Sequence, residues 1–268
     1  MNDSLGLNIN ESFHQLDLTL FQHSHSPYSH IVRAFLDYEN IRYKIVEADS
    51  YDPSRTLKKE EGIEESLKIP VLVARGEQVE NRRKVVSSCG MIILFLFEKD
   101  ASSLKLKKPS DEEVAMIEKF HKLMPIIGLN RHLTLKDSYS CFEFMKEMNT
   151  SFGFLRDFFL RVVSPYAMYL IWSTNKDKVL QKYDNSYRRE PFQVLLTELD
   201  KWSAVRKEKG QFFGGSQMGI VDIYFFGLFQ TMKGQNLFNS IFESREDWKD
   251  WYDQVAIHIP HKYNKNQI

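Results

Sequence analysis

Segments with the residue alternation of a β-strand occur only in the first hundred residues of this 268-residue chain. Leu16, Leu18 and Leu20 alternate with the polar residues Asp17 and Thr19, which is the period-two pattern of a strand. The predicted elements, in order, are a strand at Leu16–Leu20, a helix at Ile31–Leu36, a strand at Arg42–Val46, a helix within Asp52–Ser66, strands at Pro70–Val73 and near Val79, and a helix at Cys89–Glu98. This order predicts an α/β domain over residues 14–100.

The second half of the chain has helical spacing throughout. After a Lys- and Ser-rich segment, Lys99–Pro109, which we interpret as a solvated linker, Ser110 is followed three residues later by a glutamate. That pair is a capping box, which marks the start of a helix. Further on, apolar residues such as Leu199 and Trp202 share a helix face. An all-helical second domain is therefore predicted over residues 110–260, so the fold class is α/β plus all-α.

Composition excludes several classes of function. The chain has 36 basic and 36 acidic side chains, whereas a protein that binds nucleic-acid phosphates needs a basic excess, so no nucleic-acid partner is expected. Two cysteines cannot form a disulfide framework, which favours a reducing compartment. The longest apolar run, Met91–Phe97, is far shorter than the roughly 18 residues of a membrane span. No transmembrane segment is expected, while peripheral membrane association stays open.

The beginning of the sequence has no targeting signal of the usual kind. The first Lys or Arg is Arg33, and three acidic residues precede it. A secretory signal begins with a basic segment and an apolar run, and a transit peptide is rich in Arg and poor in acidic residues. Neither kind of presequence is predicted.

Short motifs in a fixed order carry a family resemblance. Ile69-Pro70 precedes the third predicted strand, where thioredoxin folds have a cis-proline. Ser26-Pro27-Tyr28-Ser29 is followed by Val32–Asp37, and Ala167–Ile171 and Asp200–Trp202 add further agreement. The chain resembles the glutathione S-transferase superfamily, in which a thioredoxin-like N-terminal domain precedes a helical C-terminal domain. Within that superfamily it resembles the membrane-associated prostaglandin E synthase type 2 branch, whose motif is Cys-Pro-Phe-Cys.

The resemblance breaks at the reactive positions of that motif. In a Cys-x-x-Cys site the first thiol lies at a helix N-terminus, where the helix dipole and free N–H groups lower its pKa. This chain has Ser26 and Ser29 at the two cysteine positions. A serine hydroxyl needs an adjacent base before it becomes a nucleophile. Dithiol redox chemistry is therefore excluded at this site, and no residue is assigned a catalytic role unless the site is active in another way.

The resemblance still implies that glutathione is a candidate cofactor. If the site is active, the catalytic hydroxyl is that of Ser26 or, as a second choice, Tyr28, which would hydrogen-bond the glutathione sulfur and favour its thiolate. The backbone of Ile69, beside Pro70, would pair with the tripeptide.

A third part of the implied glutathione site is incomplete. The superfamily uses an acidic residue followed by serine to bind the γ-glutamyl end. Ser87 is present here, but Val86 takes the place of the acid. Glutathione would then lose the partner of its α-amino group, a loss of about 1–3 kcal/mol for a charged hydrogen bond.

Two further patterns concern metal binding and folding. His23, His25 and His30 have no neighbouring cysteine and no carboxylate at a suggestive spacing, so no metal site is predicted. The segment at Gly219 resembles the superfamily's helix-start signal, with Asp222 as the acid at the third helical position. It predicts a hydrogen bond from the Gly219 N–H to the Asp222 carboxylate.

Three functions remain open at this point. The lost thiols and the lost acid favour a non-catalytic protein that serves through its surfaces, as an accessory subunit in an assembly of protein subunits. The segment before Leu16 and the tail Ile259–Ile268 are then expected to lie against another subunit. The alternatives are a glutathione-dependent transferase or isomerase that uses Ser26, and a carrier of haem or lipid in a cleft.

The compartment is also implied only by the resemblance. The related branch is associated with mitochondria, so a mitochondrial location is expected, with a respiratory-chain assembly as the first to examine. A cytoplasmic location is the alternative.

Overall fold

The computed structural model describes residues 13, 15–49, 52–77, 79–143, 158–183 and 190–259. Most of the two terminal segments that were expected to contact a partner lie outside these residues.

Contacts divide the chain into two units, and neither is a single stretch of sequence. The first comprises residues up to Lys108 together with Phe225–Leu228 and the stretch from Val255 onward. The second comprises Pro109–Tyr224 and Phe229–Gln254.

A four-stranded mixed sheet forms the centre of the first unit. Its elements in chain order are β1 (Asp17–Gln22), α1 (Pro27–Tyr38), β2 (Lys44–Glu47), α2 (Pro53–Glu61), β3 (Val71–Arg75), β4 (Arg83–Ser87) and α3 (Cys89–Asp100). The strand order is β2-β1-β3-β4; β2 runs parallel to β1, and the other two pairings are antiparallel. The peptide bond between Ile69 and Pro70, just before β3, is cis. The predicted thioredoxin-like α/β fold is confirmed.

Side chains on both faces of β1 are buried, which is why helices cover the sheet on two sides. Phe21 packs with Leu57 of α2 and with Val71 and Val73 of β3. Leu20 points to the opposite face, because successive side chains of a strand alternate, and it is also fully buried. The strand predicted at Leu16–Leu20 is thus present as Asp17–Gln22, with both of its faces buried.

The fourth strand begins at Arg83, so the strand predicted near Val79 is wrong. Val79 is buried, but it lies in the turn between β3 and β4. Asn81 and Arg82 have φ values of 56° and 57°, and these left-handed conformations reverse the chain before it pairs with β3. Val85 then provides apolar surface on β4.

The segment after α3 is bound to α1 rather than solvated as predicted. The Glu39 carboxylate accepts hydrogen bonds from the backbone N–H groups of Lys105 (2.6 Å) and Leu106 (2.9 Å). Glu39 is only 1% exposed, and burial raises its pKa, while the two N–H groups act in the opposite direction. The Lys105 ammonium also donates to the Tyr38 carbonyl. A charged residue in this segment thus takes part in a specific contact.

Helices make up the rest of the described chain. They are α4 (Asp111–His121), α5 (Met124–Arg131), α6 (Leu135–Glu143), α7 (Ser164–Leu180), α8 (Pro191–Lys209), α9 (Ile220–Met232), α10 (Asn236–Ser244) and α11 (Glu246–His258), with a π-helical turn, Phe159–Val163, directly before α7. The capping box predicted at the start of α4 is present, since Ser110 and Glu113 exchange hydrogen bonds. Among the described helices, none is both long and apolar enough to cross a membrane.

The start of α9 is organised around one buried carboxylate. Asp222 accepts the predicted hydrogen bond from the Gly219 N–H at 2.8 Å. It also accepts from the backbone N–H groups of Phe213 (3.1 Å) and Gly214 (3.3 Å), and from the Trp251 indole N–H (2.8 Å). Burial raises the pKa of Asp222, and these four donors oppose that effect. The residue therefore does more than cap a helix.

The middle turn of α9 belongs to the first unit because it packs closely on α1. A Cβ atom at Gly227 would lie 2.6 Å from the backbone of Ile31. Only glycine permits this approach without a shift of one of the helices.

Candidate functional site

The start of α1 presents a hydroxyl group. Ser26 is the N-cap residue, and Pro27 occupies the first helical position, where its missing N–H is not needed. The Ser26 side chain makes no cap hydrogen bond to α1 and is half-buried. Within the described residues its hydroxyl is thus available to a bound molecule.

The second serine of the motif has a structural role. Ser29 is fully buried, and its hydroxyl oxygen accepts a hydrogen bond from the backbone N–H of His23 at 3.2 Å. This bond ties the first turn of α1 back to the loop that precedes it. Ser29 therefore stands where a resolving cysteine would stand, but its side chain belongs to the interior.

A partly buried acid fixes the loop before Ser26. The Glu47 carboxylate at the end of β2 accepts from the Ser24 backbone N–H (2.8 Å), from the Ser24 hydroxyl (2.6 Å) and from the Gln22 side-chain amide (3.1 Å). The Arg33 guanidinium donates to the Gln22 amide oxygen at 3.3 Å. Burial raises the pKa of Glu47, while the bonds from Ser24 and Gln22 and the charge of Arg33 lower it. The loop is held by side chains that the motif itself does not include.

The cis-proline and the end of β4 are joined by a backbone hydrogen bond. The N–H of Ser88 donates to the carbonyl of Pro70 at 3.0 Å. Next to it, the Ser87 hydroxyl donates to the Lys68 carbonyl at 2.8 Å. The serine expected to bind glutathione is thus already engaged within the chain. The backbone of Ile69 makes no hydrogen bond to any described residue, as a site for an extended peptide requires.

The start of α3 lies beside the start of α1. Ser88, the N-cap of α3, has φ 77° and ψ 146°, a conformation that is rare for a residue with a side chain. Cys89 follows as the first helical residue and is 5% exposed. Burial raises the pKa of the Tyr28 phenol, and the nearby Cys89 thiol raises it further. The phenol therefore stays protonated at neutral pH.

The structure thus brings the predicted residues to one edge of the sheet. The electrostatic effect of Cys89 on Tyr28 places the start of α1 near that of α3, and the bond from Ser88 to Pro70 adds the segment before β3. Sequence reasoning missed Cys89 as a member of this site. The available signal was its place directly after Ser87-Ser88, at the first position of a helix.

The histidines of the preceding loop stack rather than converge. The His23 and His25 rings are 5.3 Å apart and 19° from parallel. Burial lowers the pKa of His23, which favours the neutral ring. Within the described chain, no group of three or more His, Cys, Asp or Glu side chains is placed to hold a metal ion.

The arrangement supplies part of what an anionic peptide needs. Two helix N-termini provide positive dipole ends and free N–H groups, Ser26 provides a hydroxyl, and Ile69 provides backbone partners. The stretch Val85–Ser88 contains no carboxylate for a cationic amino group. The site thus presents a hydroxyl group and backbone hydrogen-bonding groups, and it has neither a thiol at the α1 N-terminus nor an acid at the α3 N-terminus.

Comparison with known proteins agrees with this geometry. Residues 20–104 match the family model of the glutathione S-transferase N-terminal domain. The chain is 24% identical to prostaglandin E synthase 2 of Danio rerio, over 92% of this chain and 72% of the relative. It is also 24% identical to prostaglandin E synthase 2 of Mus musculus, over 88% of this chain and 69% of the relative.

Solved structures of low sequence identity share the fold. Glutathione transferase GSTFuA2 from Phanerochaete chrysosporium aligns with a TM-score of 0.60 at 15% identity, covering 91% of this chain and 98% of that protein. The glutathione S-transferase CsGST63524 of Ceriporiopsis subvermispora, solved in complex with glutathione, aligns with a TM-score of 0.59 at 13% identity, covering 90% and 97%. Together with the sheet order and the helices that follow it, these matches show that the chain has the glutathione S-transferase fold, and that its sequence is similar to that of prostaglandin E synthase 2.

Proposed function

We propose that this protein is a non-catalytic member of the superfamily that acts through its surfaces as an accessory subunit of a larger assembly. The observation that carries the proposal is the start of α3. There Ser87 donates its hydroxyl to Lys68 within the chain, and no acidic residue accompanies it. A ligand with a cationic amino group would have to give up water without gaining an anionic partner.

The start of α1 supports the same proposal. Ser26 has no base within the described residues to activate it: the nearby Tyr28 phenol has a raised pKa, and the loop histidine His23 has a lowered one and is stacked on His25. Ser29 is sealed in the interior. The fold is intact while the groups that make it an enzyme are replaced, which is the pattern expected of a protein retained for its contacts.

Glutathione assays test the loss of activity. The purified protein should neither reduce disulfides nor conjugate glutathione to a chlorodinitrobenzene electrophile above the buffer background. The Ser26→Ala variant should match the wild type, and Ser66→Ala, on an exposed loop, serves as the control for serine loss. A saturable rate in the wild type that disappears only in Ser26→Ala would establish an enzyme.

Native co-purification tests the accessory role. Mitochondrial membranes, and the respiratory complexes within them, are the first material to examine, and a cytosolic extract is the comparison. The protein should migrate with other subunits on native gels, and mass spectrometry of the same band identifies them. Elution from both extracts only at the size of the single chain would contradict the proposal.

One observation favours a second candidate function, a glutathione-dependent transferase or isomerase. The Ser26 hydroxyl and the Ile69 backbone have no partners among the described residues, so both could bind the tripeptide. Calorimetric titration with glutathione measures binding, and comparison with the turnover assay separates an enzyme from a protein that only binds glutathione. Heat of binding without turnover would indicate a retained ligand site in a protein that is not an enzyme.

A further inference from the structure

A run of apolar side chains faces water along α7 and the turn before it. Seven of its residues are between 38% and 53% exposed: Phe158, Phe159, Val162, Val163, Tyr166, Leu170 and Ile171. We call this surface the α7 face. Three of the seven are aromatic. An aromatic side chain has a surface of about 150–250 Å², so three that are half exposed leave roughly 300 Å² of apolar surface in water, before the aliphatic residues are counted. That is already the size of the largest apolar patch on many monomeric proteins.

The opposite side of α7 is fixed by packing, so the exposed side cannot turn inward. Trp172 packs so closely on α5 that a Cβ atom at Gly128 would lie 2.3 Å from its ring. The same indole stacks on His132, with ring centres 6.4 Å apart and planes within 7°. Pro165 and Val179, seven residues to either side of Trp172, are buried. The part of α7 up to Trp172 is therefore apolar on its exposed side as well as on its packed side, and such a segment is normally covered on both.

Charge is arranged at the ends of the α7 face and not within it. Residues 162–175 contain no Asp, Glu, Lys, Arg or His. Arg161 precedes them, and Lys176 and Lys178 follow, with Asp177 between the two lysines. The described residues 124–143 and 158–183 contain six Lys or Arg side chains and three Asp or Glu side chains, although the whole chain has equal numbers of the two kinds. An uncharged centre therefore has a net positive border.

This border decides between occupants. A second copy of the chain, docked with its α7 antiparallel, would place Arg161 opposite Lys176 and Lys178. A parallel arrangement would place each of these cations beside the same residue of the second copy. Either arrangement brings like charges together, which opposes association. A surface that is apolar in its interior and anionic at its boundary fits both parts of the α7 face.

We propose that the α7 face binds the surface of an anionic lipid bilayer. The aromatic and aliphatic side chains enter the boundary between headgroups and acyl chains, with the helix lying in the plane of the membrane. Arg161, Lys176 and Lys178 contact the anionic headgroups, to which each contributes additional attraction. This proposal concerns a surface remote in sequence from Ser26, so it holds whether or not the glutathione site turns over a substrate.

Vesicle flotation tests the proposal with the full chain. The probe is vesicles of phosphatidylcholine and phosphatidylglycerol in a ratio of about two to one, with pure phosphatidylcholine as the comparison. The protein should float with the anionic vesicles, and raising salt from about 0.1 M to 1 M, which shortens the Debye length from about 10 Å to 3 Å, should weaken binding. It should not float with pure phosphatidylcholine.

Paired variants separate the apolar and the charged contributions. Tyr166→Asp with Leu170→Asp should weaken binding about tenfold or more, since two half-exposed side chains lose their burial. The control is Ile257→Asp on α11, an apolar side chain that is 73% exposed elsewhere. Lys176→Glu with Lys178→Glu should weaken binding by a similar factor, and Lys107→Glu with Lys108→Glu is the control of equal charge change. Circular dichroism verifies that each variant is folded.

Each contrary outcome overturns the proposal in a different way. Failure of the wild type to float with anionic vesicles excludes a lipid surface. Flotation that both sets of α7 variants leave unchanged assigns binding to another part of the chain. A concentration-dependent dimer that only Tyr166→Asp with Leu170→Asp dissociates, without flotation, makes a second copy the occupant. Glutathione turnover in the same preparations would change the proposed function and leave this test unaffected.

Discussion

Replacing Asp222 with alanine should cost far more than the loss of a helix cap. Two of its four donors, the Phe213 N–H and the Trp251 indole N–H, are buried and would lose the carboxylate oxygen that accepts from them. Each buried donor left without a partner costs about 1–3 kcal/mol. The Gly219 N–H can reach water, so its loss is that of a cap, about 0.5–2 kcal/mol. The substitution also removes the desolvation cost of the buried carboxylate, which is the cause of its raised pKa, and this gain offsets part of the loss in stability. The net expectation is about 3–5 kcal/mol.

Urea unfolding at neutral pH measures this cost as the change in the free energy of unfolding, provided that the m-value is unchanged. Asp222→Asn keeps one acceptor oxygen, and its amide group faces other donors, so it should lose about half as much. Asp200→Ala is the matched control because Asp200 forms an exposed ion pair with Arg245, worth about 0–1 kcal/mol. If Asp222→Ala costs no more than this control, the four hydrogen bonds do not support the start of α9.

Two further predictions concern the packing of α5 against α7. Burial lowers the pKa of His132 to about 3, so the folded protein keeps this ring neutral while the unfolded chain takes up a proton below about pH 6.5. Stability should therefore fall by about 2 kcal/mol between about pH 8 and pH 5 on account of this group, and His132→Gln should remove that part of the slope in urea unfolding followed against pH. An unchanged slope would mean that His132 is protonated in the folded state. Gly128→Ala should destabilise the protein by about 1–3 kcal/mol, because its Cβ would overlap the Trp172 ring. The control, Gly90→Ala in α3, where nothing lies within 4 Å, should be neutral or stabilising by up to about 1 kcal/mol. Equal melting temperatures of the two variants would refute the close packing.

The fold class was accessible from the sequence because its signals are local. Alternation at β1, the Ile69-Pro70 step and the pair Gly219 with Asp222 each lie within a few residues. The turn before β4 was not accessible, because Asn81 and Arg82 adopt left-handed conformations without glycine to indicate it. Sequence reasoning therefore places this strand near Val79, four residues before β4 begins at Arg83.

The candidate site was predictable only in its motif residues. Ser26, Ile69 and Ser87 lie at one edge of the sheet, and their role in binding glutathione stays a prediction. The groups that fix or complete the site come from elsewhere: Glu47 reaches the loop from the end of β2, and Cys89 of α3 acts electrostatically on Tyr28. Such contacts depend on the three-dimensional arrangement of elements, and hydrophobic periodicity carries no information about them.

The close approach of Gly227 to Ile31 has a consequence for synthesis of the protein. Domains generally fold as units, beginning with the N-terminal part of a growing chain. Here the thioredoxin-like unit includes Phe225–Leu228, which leave the ribosome long after α1. The α1 surface at Ile31 therefore stays exposed until most of the chain has been synthesised. A nascent chain halted before α9 should be a substrate for chaperones, and the two units are expected to complete their folding together.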